Sequence, residues 1–274
     1  MGLYCCPVCH EMLDFDKTGA FCSNGHRFDR ARQGYINLLQ SQSSSQKHHG
    51  DDKLMSIARN EFLSAGFYAP LLKKLTEILP NLLPQICAIA DVGCGEGYYT
   101  QGVYQSLVEN GKQVSLAAID ISKDIVKFAA KRLPKDSVVV ASAYALPLEA
   151  GSCDLVMNLF APVAGEEFFR VLTTNGYLLR ALPREDHLMG LKRMIYEKPY
   201  RNPPVQQELE NFSPVKRYNL DWTIHLQSQK EIESLFKMTP YYYKTSAEDQ
   251  QRLAKVEALD TEVSFAILVD RKVR

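Results

Sequence analysis

The sequence predicts an α/β chain, a doubly wound and mainly parallel sheet preceded by a small metal-held module. Three observations predict it. From residue 86 onward, short apolar runs alternate with amphipathic helical segments, the pattern of right-handed βαβ units. The first run ends in an acid and a glycine-spaced loop, Asp91-Val-Gly93-Cys94-Gly95-Glu96-Gly97. Near the N-terminus, Cys6-x2-Cys9-x12-Cys22-x3-His26 gathers two pairs of metal-binding residues one hairpin apart.

At 274 residues the chain suits one large domain or two unequal ones. Its apolar share of 46% is ordinary for a globular protein, and no apolar run reaches membrane-span length. The start of the chain lacks the basic flank and apolar core of a signal peptide, and Cys6 stands where a myristoylation motif needs Ser or Thr. A cytoplasmic location is therefore expected. Lys plus Arg equals Asp plus Glu, 32 each, so there is no bulk attraction to nucleic acid. Any RNA partner must be held by a local patch. Seven cysteines clustered toward the N-terminus argue against a disulfide framework. Cys87, Cys94 and Cys153 are expected as small buried or loop residues.

Residues 1–40 form the first expected unit. Cys6, Cys9, Cys22 and His26 suit a tetrahedral zinc site, with Cys5 or His10 as alternative ligands. Four protein ligands close such a site, which makes it structural, and about 40 residues need that metal to fold. Phe15, Phe21 and Phe28 suit a small apolar layer around the metal. Residues 41–53, polar and low in complexity, read as a linker, with His48 and His49 as solvated residues of it. Residues 54–274 form the second unit. It opens with helical spacing at Leu54, Ile57, Ala58 and Phe62, then a helix begun by Pro70 and ended by Pro80 and Pro84.

The glycine loop identifies a class of ligand. A dinucleotide fingerprint requires glycine at position 98, where Tyr98 stands. Asp91 and Glu96 would repel a pyrophosphate and suit a cationic ligand. A second strand over 114–120 ends in Asp120, where an acid holds a ribose hydroxyl pair. The arrangement resembles the S-adenosylmethionine site of class I methyltransferases, a Rossmann-like fold. Helix 123–132, strands 138–141 and 154–160, helix 166–172, strand 177–181 and a helical stretch from 183 to 196 continue the alternation. Residues 198–215, with four prolines, read as an insertion or lid. Strands near 220–226 and 261–269, with helix 229–237 between them, finish the sheet.

Together with the zinc-ligand spacing, Gly34-Tyr-Ile-Asn-Leu-Leu39, Phe160-Ala-Pro162, His187-Leu-Met-x-Leu-Lys192 and Met238-Thr-Pro240 resemble one family. It is the RlmA family of bacterial 23S ribosomal RNA guanine-N1-methyltransferases. The resemblance implies a zinc-ribbon domain that reads RNA, a methyltransferase domain, and a homodimer acting on an rRNA hairpin. It implies cofactor contacts at Tyr68, Gly95, Glu96 and His187. The general class pattern adds Asp91, Gly93, Gly97 and Asp120. Ser142 stands where the class often places an acid near the adenine.

Asn158, Phe160 and Pro162 end the fourth strand, where target bases sit in many methyltransferases. Asn158 is the candidate for hydrogen bonds to the base and Phe160 for stacking on it. Lys127, Lys131, Arg132 and Lys135 read as a solvated helix face, whereas Arg180, Arg184, Lys192 and Arg193 are candidates for phosphate contacts. Two rival readings stand beside this one. A quinone-biosynthesis-type small-molecule methyltransferase would share only the cofactor domain. A non-catalytic zinc-dependent RNA-binding protein would lack affinity for S-adenosylmethionine.

Overall fold

The computed structural model describes residues 3–40 and 52–273. Most of the expected linker, with His48 and His49, lies outside the described residues. Its last two positions do not: Asp52 caps the first helix through a bond from Met55 N (2.9 Å), and Lys53 begins that helix.

The N-terminal unit is a three-stranded antiparallel sheet, β1 (Asp14–Phe15), β2 (Gly19–Phe21) and β3 (Arg27–Asp29). Strand β4 (Ile36–Asn37) then leaves it. Helix α1 (Lys53–Ser64) and helix α2 (Ala69–Leu82) lead into the large sheet. Leu71, Leu75 and Leu79 form the buried stripe of α2. Pro80 lies inside α2 and does not end it. It sits in the last turn, so its missing N–H costs one bond near a helix end.

The alternation follows as β5 (Ile86–Val92), α3 (Tyr98–Glu109), β6 (Gln113–Asp120), α4 (Val126–Arg132), β7 (Val138–Val140) and β8 (Cys153–Leu159). Helix α5 (Gly165–Val171), β9 (Leu172–Pro183), α6 (Met189–Ile195), β10 (Phe212–Leu226), α7 (Gln229–Lys237), α8 (Ala247–Leu253) and β11 (Leu259–Lys272) complete the chain. The eight-stranded sheet runs β10-β11-β9-β8-β5-β6-β7-β4. It is parallel except where β11 pairs with β9 and β10. Order reverses between β5 and β8, and ligand crevices open outside the strand ends at such a switch.

Alternate residues of the central strands feed opposite cores. Ile89, Leu155 and Met157 pack with α2, α3 and α7, whereas Ala90, Val92 and Val156 pack with α5 and the N-terminal unit. Three further segments depart from the sequence reading. Strand β9 starts at Leu172 and carries Asn175-Gly176 through a register shift opposite β8, so the sheet overrides a turn signal. Helix α6 is shorter than the expected helical stretch, beginning after Leu188 in a left-handed conformation. The proline-rich segment becomes strand at Phe212. Pro214 is tolerated because β10 is an edge strand with a register shift at that point. No helix among the described residues is long and apolar enough to cross a membrane.

Candidate active site and metal centre

Strand β5 delivers Asp91 and the loop 93–97 to the crevice. The loop is drawn onto β6 by Gly93 N and Cys94 N, which both donate to Ile119 O (2.8 and 3.0 Å). Gly93 has φ +85°, and a Cβ there would lie 2.3 Å from the Ala161 methyl. Only glycine fits that close approach. Gly95 N donates to Asp120 Oδ2 (3.0 Å), and Asp120 Oδ1 accepts from Ser122 N (2.9 Å).

A cavity of about 500 Å³ opens over this loop. Of the expected cofactor residues, Tyr68, Asp91, Gly93, Gly95, Glu96 and His187 line it. Gly97, Asp120 and Ser142 do not. Gly97 caps α3 in a left-handed conformation, Asp120 is bonded to the glycine loop, and Ser142 Oγ accepts from Tyr144 N (3.2 Å).

The polar inventory of the cavity has gaps. Thr100 Oγ1 donates to Asp91 Oδ2 (2.5 Å), yet Asp91 Oδ1, the Tyr68 hydroxyl and the Tyr99 hydroxyl are buried without a partner among the described residues. Unpaired buried polar groups are costly, so three around one cavity fit a polar ligand that supplies the missing bonds. Burial pushes the Asp91 carboxyl up to about 7, with the Asp120 and Glu96 charges adding to the effect against the Thr100 bond. Burial also raises Glu96 and Asp120. Crowded, desolvated carboxylates favour a cation. The ammonium and sulfonium of S-adenosylmethionine suit this donor set.

Other cavity residues were not read from the sequence. Arg59 on α1 lines the wall, and its Nη2 donates to Met238 O (3.0 Å). The available signal was a cation within the apolar stripe that Met55 and Phe62 define. Tyr99, Tyr200, Asn202 and Tyr241 also line the cavity.

His187 is buried against Phe265, with ring centroids 4.6 Å apart. Its Nδ1 accepts from Ser264 N (3.3 Å), which leaves the proton on Nε2. Burial, with help from the Lys192 charge, lowers its pKa to about 3, so the ring is a neutral donor.

Phe160 is 41% exposed on the cavity wall and holds φ +59°, a strained conformation for a non-glycine residue. Asn158, expected to meet the base, is fully buried and absent from the cavity lining. Its Nδ2 donates to Val92 O (3.0 Å) and Pro162 O (3.2 Å), tying the loop after β8 to β5.

The phosphate candidates are otherwise engaged. Arg180 is buried in an ion pair with Asp270 (2.7 Å). Lys192 is fully buried, donating to Tyr200 O (3.1 Å) and Asn202 Oδ1 (2.8 Å) between the rings of Tyr200 and Tyr241. Arg184 and Arg193 pair with Asp221 (2.6 Å) and Glu262 (3.2 Å).

In the N-terminal unit, ligand atoms of Cys6, Cys9, Cys22 and His26 all lie within 4.8 Å of one another. Cys9 and Cys22 sulfurs are 3.6 Å apart, and His26 Nδ1 is 3.3 Å from Cys22 Sγ and 3.6 Å from Cys6 Sγ. Zinc–sulfur bonds of about 2.3 Å in a tetrahedron require sulfurs about 3.7 Å apart, whereas a disulfide requires about 2 Å. The cluster fits zinc. Cys5 lies outside it, with its thiol on Met12 Sδ (3.7 Å), and His10 is also outside.

Comparison with known proteins follows the same two-part division. Residues 4–47 match the family model described as RlmA, N-terminal, a zinc ribbon, and residues 90–179 match a methyltransferase domain model. The 23S rRNA (guanine(748)-N(1))-methyltransferase of Streptomyces fradiae is 33% identical over 230 residues, covering 81% of this chain and 79% of that one. A Micromonospora griseorubida protein, provisionally named 23S rRNA (guanine-N(1)-)-methyltransferase, is 31% identical over 291 residues, 96% of this chain and 94% of that one. The chain belongs to this 23S rRNA (guanine-N1)-methyltransferase family. It is a methyltransferase of the S-adenosylmethionine-dependent class I fold with an N-terminal zinc ribbon. By contrast, the malonyl-[acyl-carrier protein] O-methyltransferase of Enterobacter lignolyticus is 29% identical over 150 residues, only 50% of the methyltransferase and 57% of that chain.

Proposed function

We propose that the chain transfers the methyl group of S-adenosylmethionine to N1 of one guanine in a hairpin of 23S ribosomal RNA. The observation that carries this reading is the cavity's unpaired Asp91, Tyr68 and Tyr99 atoms beside the glycine loop, in a molecule that also holds a Cys3His cluster. The family match spanning both parts supports RNA over a small acceptor. Residues 1–40 are assigned to RNA reading and 54–274 to catalysis, joined by 41–53, in a cytoplasmic homodimer.

S-adenosylmethionine supplies an electrophilic methyl on a sulfonium. Asp91 Oδ1 would accept from its ammonium, and the hydroxyls of Tyr68 and Tyr99 would donate to its carboxylate, with Arg59 as the countercharge. Glu96 would add negative charge to the same end, Gly93 and Gly95 would give the ligand access to the backbone, and Gly97 would support that loop from the start of α3. Asp120, at the end of β6, would meet the ribose hydroxyls and Ser142, after β7, the adenine edge, although neither lines the cavity of the free chain. His187, a neutral Nε2 donor, would bond the ligand and take no proton.

A guanine turned out of its stack meets Phe160 on the cavity wall. Asn158 acts through Phe160 by bracing the loop that carries it. Catalysis is mainly positioning and exclusion of water around an in-line displacement. Cys6, Cys9, Cys22 and His26 hold a zinc that is closed to substrate.

Mass mapping of rRNA from a strain lacking this gene tests the reading. One methylguanosine disappears and returns when the purified chain and S-adenosylmethionine are added. An unchanged set of methylguanosines sinks it, and turnover of a small acceptor instead would favour the quinone-type alternative. Sedimentation of the pure chain tests the dimer.

A further inference from the structure

The zinc ribbon packs against the strand and the loop that flank the cofactor site. Tyr4, two residues before ligand Cys6, is 1% exposed. Its hydroxyl donates to Ser137 O (2.6 Å) and reaches Ala118 O (3.4 Å) on β6. The next residue of β6, Ile119, holds the glycine loop through its carbonyl. Tyr4 thus bonds the strand one residue before the carbonyl that holds that loop.

The same segment grips a second loop. Cys5 N donates to Pro147 O (2.8 Å), and Tyr4 bridges antiparallel to Leu148. Residues 142–148 leave β7 at the end of the sheet where β6 presents Asp120, and Ala141 N donates to Asp120 O (3.1 Å). On the far side, Arg170 donates to Leu146 O (2.9 Å) and Leu148 O (2.8 Å). The loop is therefore held between α5 and the ribbon. Tyr35 belongs to the same buried cluster as Cys94 of the glycine loop and Ile125.

We propose that the zinc ribbon is a positioning element of the cofactor site, its Tyr4–Cys5 segment fixing the glycine loop and the 142–148 loop so that S-adenosylmethionine affinity depends on zinc. This rests on the cofactor reading above. The physical reason is short range: one residue separates ligand Cys6 from Tyr4, and a head of about 40 residues has too little core to hold that segment without its metal. A detachable reader would leave cofactor binding untouched when zinc is lost.

Calorimetric titration of the full chain with S-adenosylmethionine tests this in three samples. They are the zinc-loaded chain, the chain stripped by a chelator, and zinc-loaded Tyr4→Phe, which keeps every ligand but loses the bond to Ser137 O. Emission of Trp222, the single tryptophan, reports whether the large domain is folded, because its ring packs on Phe265 and Tyr68. Stripping is expected to raise Kd about tenfold or more with native Trp222 emission, and Tyr4→Phe to raise it about threefold. Wild-type affinity in a folded stripped chain overturns the proposal. If stripping unfolds the large domain, Tyr4→Phe decides, and wild-type affinity there overturns it. Absence of binding by the zinc-loaded chain overturns the cofactor reading and this inference with it.

Discussion

Two side chains of the cavity make opposite demands on the free and bound molecule. Asp91 titrates near 7 because it is buried beside other acids. Between an ordinary carboxyl pKa of about 4 and that value, the native state holds a proton the unfolded chain has released. Stability from this group therefore falls as pH rises across that window. A bound cation reverses the preference and draws Asp91 into its charged form. Cofactor affinity should rise as pH is raised through about 7, with proton release on binding near neutrality. Calorimetry in two buffers of different ionisation heat measures both, and a flat affinity across that range would remove Asp91 from the ammonium site. The Tyr68 hydroxyl has no partner among the described residues of the free protein. Tyr68→Phe should leave the melting temperature of the free chain unchanged or slightly raised and weaken cofactor binding by roughly 1 kcal/mol. A substantial loss of stability would show that the hydroxyl is structural.

At the scale of elements, the pair Arg180–Asp270 ties parallel β9 to antiparallel β11 in the interior of the sheet. Removing one partner leaves a buried charge, so Asp270→Asn should cost about 3–5 kcal/mol in urea unfolding. A double replacement by apolar side chains of similar volume should cost far less. A small effect of the single change would mean that water reaches Arg180. This pair also marks where sequence reading fell short. The glycine loop, the strand that feeds it and the metal ligands could be read because each is a local pattern of spacing or period. Arg180 and Lys192 read as phosphate contacts because they lie at or after the C-terminal edge of the fifth strand of the alternation. Tertiary partners bury them: Asp270 for one, and the rings of Tyr200 and Tyr241 for the other. Arg59 and Tyr200 reach the cavity only through packing between distant segments. The pairing of β4 with β7 joins residues about a hundred positions apart, and no local signal encodes it.

At the scale of the whole molecule, that last pairing has a consequence for how the protein can be divided. Ile36 and Asn37 lie beside Val139 and Val140, and β7 is a run of three buried valines. Within the ordered sheet, β4 is the strand that covers this side of β7. A chain cut back to residues 54–274 would uncover a short, apolar, uncharged row of open backbone groups. Such rows recruit strands from neighbouring molecules. The truncated enzyme should form soluble aggregates on light scattering at concentrations where the full chain is clear, and Val139→Lys in the truncated form should suppress them. A truncated chain that stays dispersed would contradict this. The head then serves as a guard against self-association as well as a neighbour of the catalytic crevice, and a lineage that lost it would first have to disarm the edge it leaves behind.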